Sequence, residues 1–239
     1  MALFTAFDIG DPPGVWADLG FDVCDGVVWV DNIAHRLGVG GGGAPVSGWE
    51  LWGVELSGGA ELSGGAELSG DRDGDRDGDR DGDRDGDLDG GLDGIATRVV
   101  DDPPSAPDAG GGTPHPNGVI GLDHIVVTTP DHDRTVTALE KVGIARRRVR
   151  DLGARQQSFF RLGPVILELV GPTEAAGDGP AAIWGLAWTC DDLDATAAYL
   201  GGRLRGIKDA VQPGRRIATL DATAGSTVPT VFMSRERGR

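Results

Sequence analysis

At 239 residues the chain is long enough for one or two domains, and its 39% hydrophobic content and 41 glycines depart from the globular average. The net charge of −16 is local rather than global: residues 50–110 hold 18 Asp and Glu against 5 Arg, a balance of −13 that leaves −3 for the rest. A basic nucleic-acid face is excluded on that balance, so no nucleic-acid partner is expected.

No apolar run reaches the length of a membrane span, and residues 1–20 lack a basic start followed by an apolar stretch. The chain therefore reads as soluble and cytoplasmic, with Cys24 and Cys190 expected to be reduced, small buried thiols. Residues 3–9 read as a strand. GDPPGVWADLGF follows as a short helical turn with prolines at its start, where a missing N–H costs nothing. Residues 21–24 and 27–37 alternate as a hairpin about Asp25-Gly26, and GWELWGVEL supplies a fourth strand. Residues 1–55 thus have the order strand, helix, strand, strand, strand. At that size they are marginal alone and should dock on the rest of the chain or on a second copy, which makes a homodimer one expected partner.

Residues 56–94 are low in complexity: LSGGAE recurs, then DRDG repeats four times from Asp71. Such a tract has little apolar surface to offset the entropy of ordering it. DGDRDG at 73–78 matches the first half of a calcium-binding loop, but the twelfth position is Arg84 where a bidentate Glu is needed, so specific calcium binding is not expected. The linker continues through 117, with 95–100 readable as a short strand or docking segment and His115 as a loop residue.

Residues 119–127 form the next strand. Thr129-Pro130-Asp131 starts a helix that runs to about Lys141, buries Val136 and Leu139, and ends at Gly143. ARRRVRD is a strand with a basic outer face, followed by strands at SFFRLG and PVILELVG. AIWGLAWTC and DDLDATAAYL repeat the strand and capped helix, and RLRGI, RRIATLDA and VPTVFMS complete three further strands. At an offset of 61, Asp131, Asp133, Thr135 and Leu139 fall on Asp192, Asp194, Thr196 and Leu200, so two units sit in tandem. The fold class is α+β: tandem βαβββ modules forming a curled mixed sheet with a central cup, plus a third, degenerate N-terminal βαβββ-like unit. The domain reading is 1–55, an acidic linker 56–117, and a domain 118–239 with modules at about 118–172 and 181–235.

Through GLDHIVVTTPDHDRTVTALEKVGI, FFRLGPVILELVGP and WGLAWTCDDLDATAAYL, residues 118–235 resemble the vicinal oxygen chelate superfamily, the glyoxalase, bleomycin-resistance and extradiol-dioxygenase group; residues 3–55 resemble it weakly. The resemblance implies a divalent metal held by first-strand and fourth-strand residues of paired units. His124 and Glu168 match the first two positions. The third falls on Gly185 and the fourth near Phe232 or Met233, neither a useful ligand for a hard ion. His124 and Glu168 are therefore the candidate catalytic residues and the candidate ligands of one divalent ion (Zn, Ni, Mn or Fe). Taken alone, a carboxylate in the apolar run VILELV needs a partner, and His124 could be that partner in a structural pair as well as a functional one. Arg161, Gln212, Arg215 and Arg216 are candidates for an anionic substrate group, and Trp184 and Trp188 for the cup wall. The resemblance implies an enzyme of lyase, isomerase or dioxygenase type acting on a carbonyl or vicinal-oxygen metabolite. Its alternative is a non-catalytic protein that sequesters a small molecule.

Overall fold

The computed structural model of the chain describes residues 1–40, 44–55, 62–63, 86–103, 106 and 115–235. The DRDG repeats, save the closing Gly86, and the calcium-loop match lie outside these residues. The strands are β1 Leu3–Ile9, β2 Val23–Cys24, β3 Val27–Val30, β4 Ile33–Leu37, β5 Val46–Trp52, β6 Leu62–Ser63, β7 Gly86–Leu88 and β8 Ala96–Val100 in the first part of the chain. The second part holds β9 Val119–Thr128, β10 Arg146–Asp151, β11 Arg155–Leu162, β12 Val165–Pro172, β13 Ala182–Cys190, β14 Lys208–Asp209, β15 Arg216–Thr219 and β16 Thr230–Ser234. The helices are α1 Pro13–Asp18, α2 His132–Lys141 and α3 Leu193–Leu200.

The same pairing order recurs along the chain. In each unit the first strand lies parallel to the fourth, and the second and third continue outward antiparallel: β9-β12-β11-β10, β13-β16-β15-β14 and β1-β4-β3-β2. A parallel neighbour requires a crossover, which α1, α2 and α3 provide. First strands of successive units pair antiparallel, β9 with β13 and β1 with β5, and fuse units into two curled sheets that touch at Ile183 and Val46.

The N-terminal half departs from the sequence reading. Asp25-Gly26 does make the expected tight turn, both residues at positive φ (49° and 77°). But 27–37 breaks into β3 and β4 at Asp31, itself at φ 52°. The fourth strand of the first unit is therefore β4. Val46–Trp52 opens a further unit, β5-β8-β7-β6, whose last strands lie within the stretch read as linker. Asp93, at the end of that stretch, receives Arg134 of α2 at 2.6 Å and the Thr135 hydroxyl. Smaller corrections follow the same lines. Within Thr129-Pro130-Asp131 it is Asp131 that caps α2, through Arg134 N, while Thr129 accepts from Asp131 N. Of RLRGI, only Leu204 makes a bridge, to Leu220. Cys24 is exposed, while Cys190 is buried and its thiol is pushed up to about 11 by desolvation.

Strand alternation sets two faces. On β9 and β12, Ile125, Val127, Leu167 and Leu169 are buried on the helix-covered side, while His124, Val126, Ile166 and Glu168 are half-buried on the open side. On β13 the covered side carries Trp188, fully buried against Trp16, Phe21 and His35 at ring distances of 5.9, 5.2 and 5.0 Å. The N-terminal unit therefore docks in cis. Asp11, 2% exposed, fastens it: its carboxylate accepts from Trp16 Nε1, Ser226 Oγ, Thr227 N and Thr227 Oγ1. His115 and Asn117 tie the chain entering β9 to Asp22, Trp29, Leu19 and Gly20.

Candidate functional site

The open face of the sheet β10-β11-β12-β9-β13-β16-β15 reads out in rows, because directly paired residues share a face. One row runs Arg161, Ile166, His124, Ala187, Val231, Thr219, and the next runs Arg148, Phe159, Glu168, Val126, Gly185. His124 and Glu168 therefore stand on the same face, on neighbouring parallel strands and one row apart. A cavity of about 620 Å³ opens on the β13–β16 side of this face, lined by His124, Val126, Trp184, Ala187, Ile217 and Val231, and closed by the 225–230 loop that Asp11 grips.

Two β-bulges shape it. The step from Ala187 to Trp188 is matched on β9 by the step from His124 to Leu122, so Asp123 is an extra residue; likewise Trp184 is extra on β13, between Ile183 and Gly185. An unbulged β9 would drive the Asp123 carboxylate into the helix side beside Ile125, where it would be desolvated without compensation. The bulge re-aims it instead. Asp123 Oδ2 lies 2.9 Å from His124 Nδ1, and Oδ1 receives Arg215 at 2.6 Å and Thr189 Oγ1 at 3.4 Å. Burial works against the Asp123 charge, but the bonds from His124 and Arg215 and the Arg215 charge outweigh it and hold the carboxyl below its ordinary pKa. An ionised Asp123 accepts a hydrogen bond from Nδ1–H, which leaves Nε2 as the ring nitrogen open to a ligand. Glu168 accepts from the Gln157 side-chain amide. Trp184, 54% exposed, stands at the cavity mouth.

Several candidate residues fall elsewhere. Trp188 is core rather than cup wall. Arg215, its side chain 7% exposed, bonds Asp123, Ser234 O and Gln212 Oε1 and keeps Nη2 buried without a partner among the described residues, so its guanidinium is enclosed behind Asp123 rather than presented on the open face, while Gln212 is an exposed loop residue. Arg216 forms a two-pronged pair with Asp194 in the first turn of α3, at the surface. Arg161 alone of the four stays on the open face. Sequence reading missed Asp123, Gln157 and Ala187; the adjacent charged and titratable pair Asp123-His124 in an apolar strand was the available signal.

The donor set does not fit a tightly held metal ion. Ala187 faces His124 across β9–β13, and Gly185 follows it on the same face. On β16 the inward residues are Val231 and Met233, while Phe232 is buried on the other side with Trp188. That leaves two side-chain donors where catalytic zinc takes three, and among the described residues no group of three or more His, Cys, Asp and Glu is placed to hold an ion. The open face of the N-terminal sheet differs in kind. Its cavity of about 690 Å³ is crossed by a self-neutralised network in which Arg36 reaches Asp8 and Glu50, Arg98 approaches Glu50, and Thr5 donates to Glu50.

No family model and no curated protein sequence matches the chain. A mutant of 4-hydroxymandelate synthase from Streptomyces coelicolor superposes over 99% of this chain and 93% of its own, with a TM-score of 0.61 at 14% identity. The fold is that of the vicinal oxygen chelate proteins. Methylmalonyl-CoA epimerase from Mycobacterium tuberculosis matches 50% of the chain and 91% of its own (TM-score 0.40, 16% identity). The Streptomyces coelicolor epimerase with 2-nitronate-propionyl-CoA matches 48% and 97% (TM-score 0.38, 22% identity). The vicinal oxygen chelate fold here spans both halves of the chain, since the synthase superposition covers nearly all of it. No helix among the described residues is long and apolar enough to cross a membrane.

Proposed function

We propose that the C-terminal cup binds a small carbonyl or vicinal-oxygen metabolite and that the protein is an enzyme of lyase or isomerase type acting on it. The observation that carries this reading is the Arg215–Asp123–His124 ladder at the cavity wall. It turns Nδ1 of the imidazole to Asp123 and leaves Nε2, bonded to nothing among the described residues, to take a proton from a ligand. A buried charge pair behind a histidine is costly to assemble for packing alone and matches what an oriented general base needs. Glu168, steadied by Gln157 one row away, is the second proton-handling group.

A second reading, sequestration without turnover, is favoured by the aliphatic wall of Ala187 and Val231 where further polar groups would otherwise stand. One experiment separates the two. The purified protein is incubated in D2O with a panel of 2-oxo acids and 1,2-dicarbonyls, and exchange of the proton next to the carbonyl is followed by NMR. Enzymatic exchange abolished by His124→Ala and by Glu168→Gln supports the enzyme. Binding without exchange supports sequestration. Metal analysis of the same preparation checks the donor-set argument: the wild type should carry well under one equivalent of a transition metal, and Ala187→His, which adds a third donor beside His124, should raise it.

A further inference from the structure

We infer that the open face of β10 and β11 is an anion-binding subsite, built by Arg148, Arg150 and Arg161, that takes the phosphate or carboxylate head group of the molecule whose body fills the cup. This deepens the small-molecule reading above and rests on it. Arg150, Gln157, Val170 and Thr128 form a third row beside the two already given, so all three arginines stand on the face that continues into the cavity through His124, Val126 and Gly185.

All three are exposed, and none makes an ion pair among the described residues. The Arg148 guanidinium sits over the Phe159 ring at 5.9 Å, which orients it while leaving its N–H groups to a ligand. The charge is unbalanced locally. On β10, β11 and β12 this face carries four guanidinium groups, Arg155 at the start of β11 being the fourth, and one carboxylate, Glu168, which Gln157 already engages. Like charges repel along one face of a strand, and a bridging anion relieves that repulsion. The N-terminal sheet shows the contrast, because there each arginine on the open face has a carboxylate within reach.

Three probes with one ring system test this on the full chain: 1-naphthyl phosphate, 1-naphthoate and neutral 1-naphthol, titrated by tryptophan quenching and calorimetry. Either anion should bind at least about tenfold more tightly than 1-naphthol, and added salt should erase most of that advantage; the tighter anion names the head group. The variant Arg148→Gln/Arg150→Gln/Arg161→Gln changes only exposed side chains. It should keep the wild-type melting temperature and 1-naphthol affinity while losing the preference for anions. Equal affinity for all three probes, or an anion preference that survives in the triple variant, overturns the subsite. Failure of every probe, 1-naphthol included, would instead strike the cup-binding reading on which the subsite rests.

Discussion

His35 lies at the seam between the two sheets, and acid should attack the fold there. It is fully buried, stacked on Phe7 at 5.5 Å and against Trp188 at 5.0 Å, with Nδ1 3.3 Å from Val28 O and Nε2 without a hydrogen-bond partner among the described residues. Desolvation lowers its pKa to about 4 from the ordinary 6.5. Because the folded pKa is the lower of the two, only the unfolded chain takes up a proton between them, so stability is lost as the pH falls from 6.5 towards 4. At pH 5, one and a half units below the unfolded value at about 1.4 kcal/mol per unit, this residue alone removes about 2 kcal/mol. His115 and His132 are also held below their ordinary pKa by burial and act in the same direction. The assay is urea unfolding of wild type and His35→Phe at pH 7 and pH 5. The variant should lose less stability between the two pH values by about 2 kcal/mol. An identical pH dependence in the two proteins would refute the reasoning.

Asp11→Ala should cost about 3 kcal/mol in chemical denaturation, since it strips a buried acceptor from Trp16 Nε1, Ser226 and Thr227. It should also weaken ligand binding by loosening the 225–230 wall. Arg215→Met should cost roughly 3 kcal/mol by leaving Asp123 buried without its cation, and adding Asp123→Asn should restore part of that loss, a coupling that a double-mutant cycle measures. Deletion of 64–85 should leave the melting midpoint within about 2 °C. Deletion of 86–100 should lower it well beyond that, because it removes β8 from β5 and Asp93 from Arg134.

The C-terminal half was readable because its signals are local and agree with one another. β9 is an apolar strand, Asp131 and Gly143 bracket α2, and the 61-residue offset repeats the pattern. The opening Asp25-Gly26 hairpin was readable for the same reason. The N-terminal pairing was not, because β5 closes with β8 across an insertion, and nothing in either strand names its partner. The site was half readable. His124 and Glu168 announce themselves as polar residues in apolar runs, but their neighbours depend on two bulges, and a bulge is a property of the strand pair rather than of either sequence. Arg215 misled for a related reason: QPGRRI has the composition of an exposed turn, and only the placement of Asp123 explains why one of its two arginines is buried.

The seam between β6 and β7 bears on how this chain can change over generations. Leu62 and Ser63 already lie opposite Leu88 and Asp87, so the ends of the repeat are stapled together whatever its length. Closing a loop twice as long costs only about 0.6 kcal/mol more. Copies of the tetrapeptide could then be gained or lost by slippage during replication almost silently as far as folding is concerned, with each DRDG unit shifting the net charge by −1. The copy number therefore acts first on the protein's net charge, one unit for each tetrapeptide.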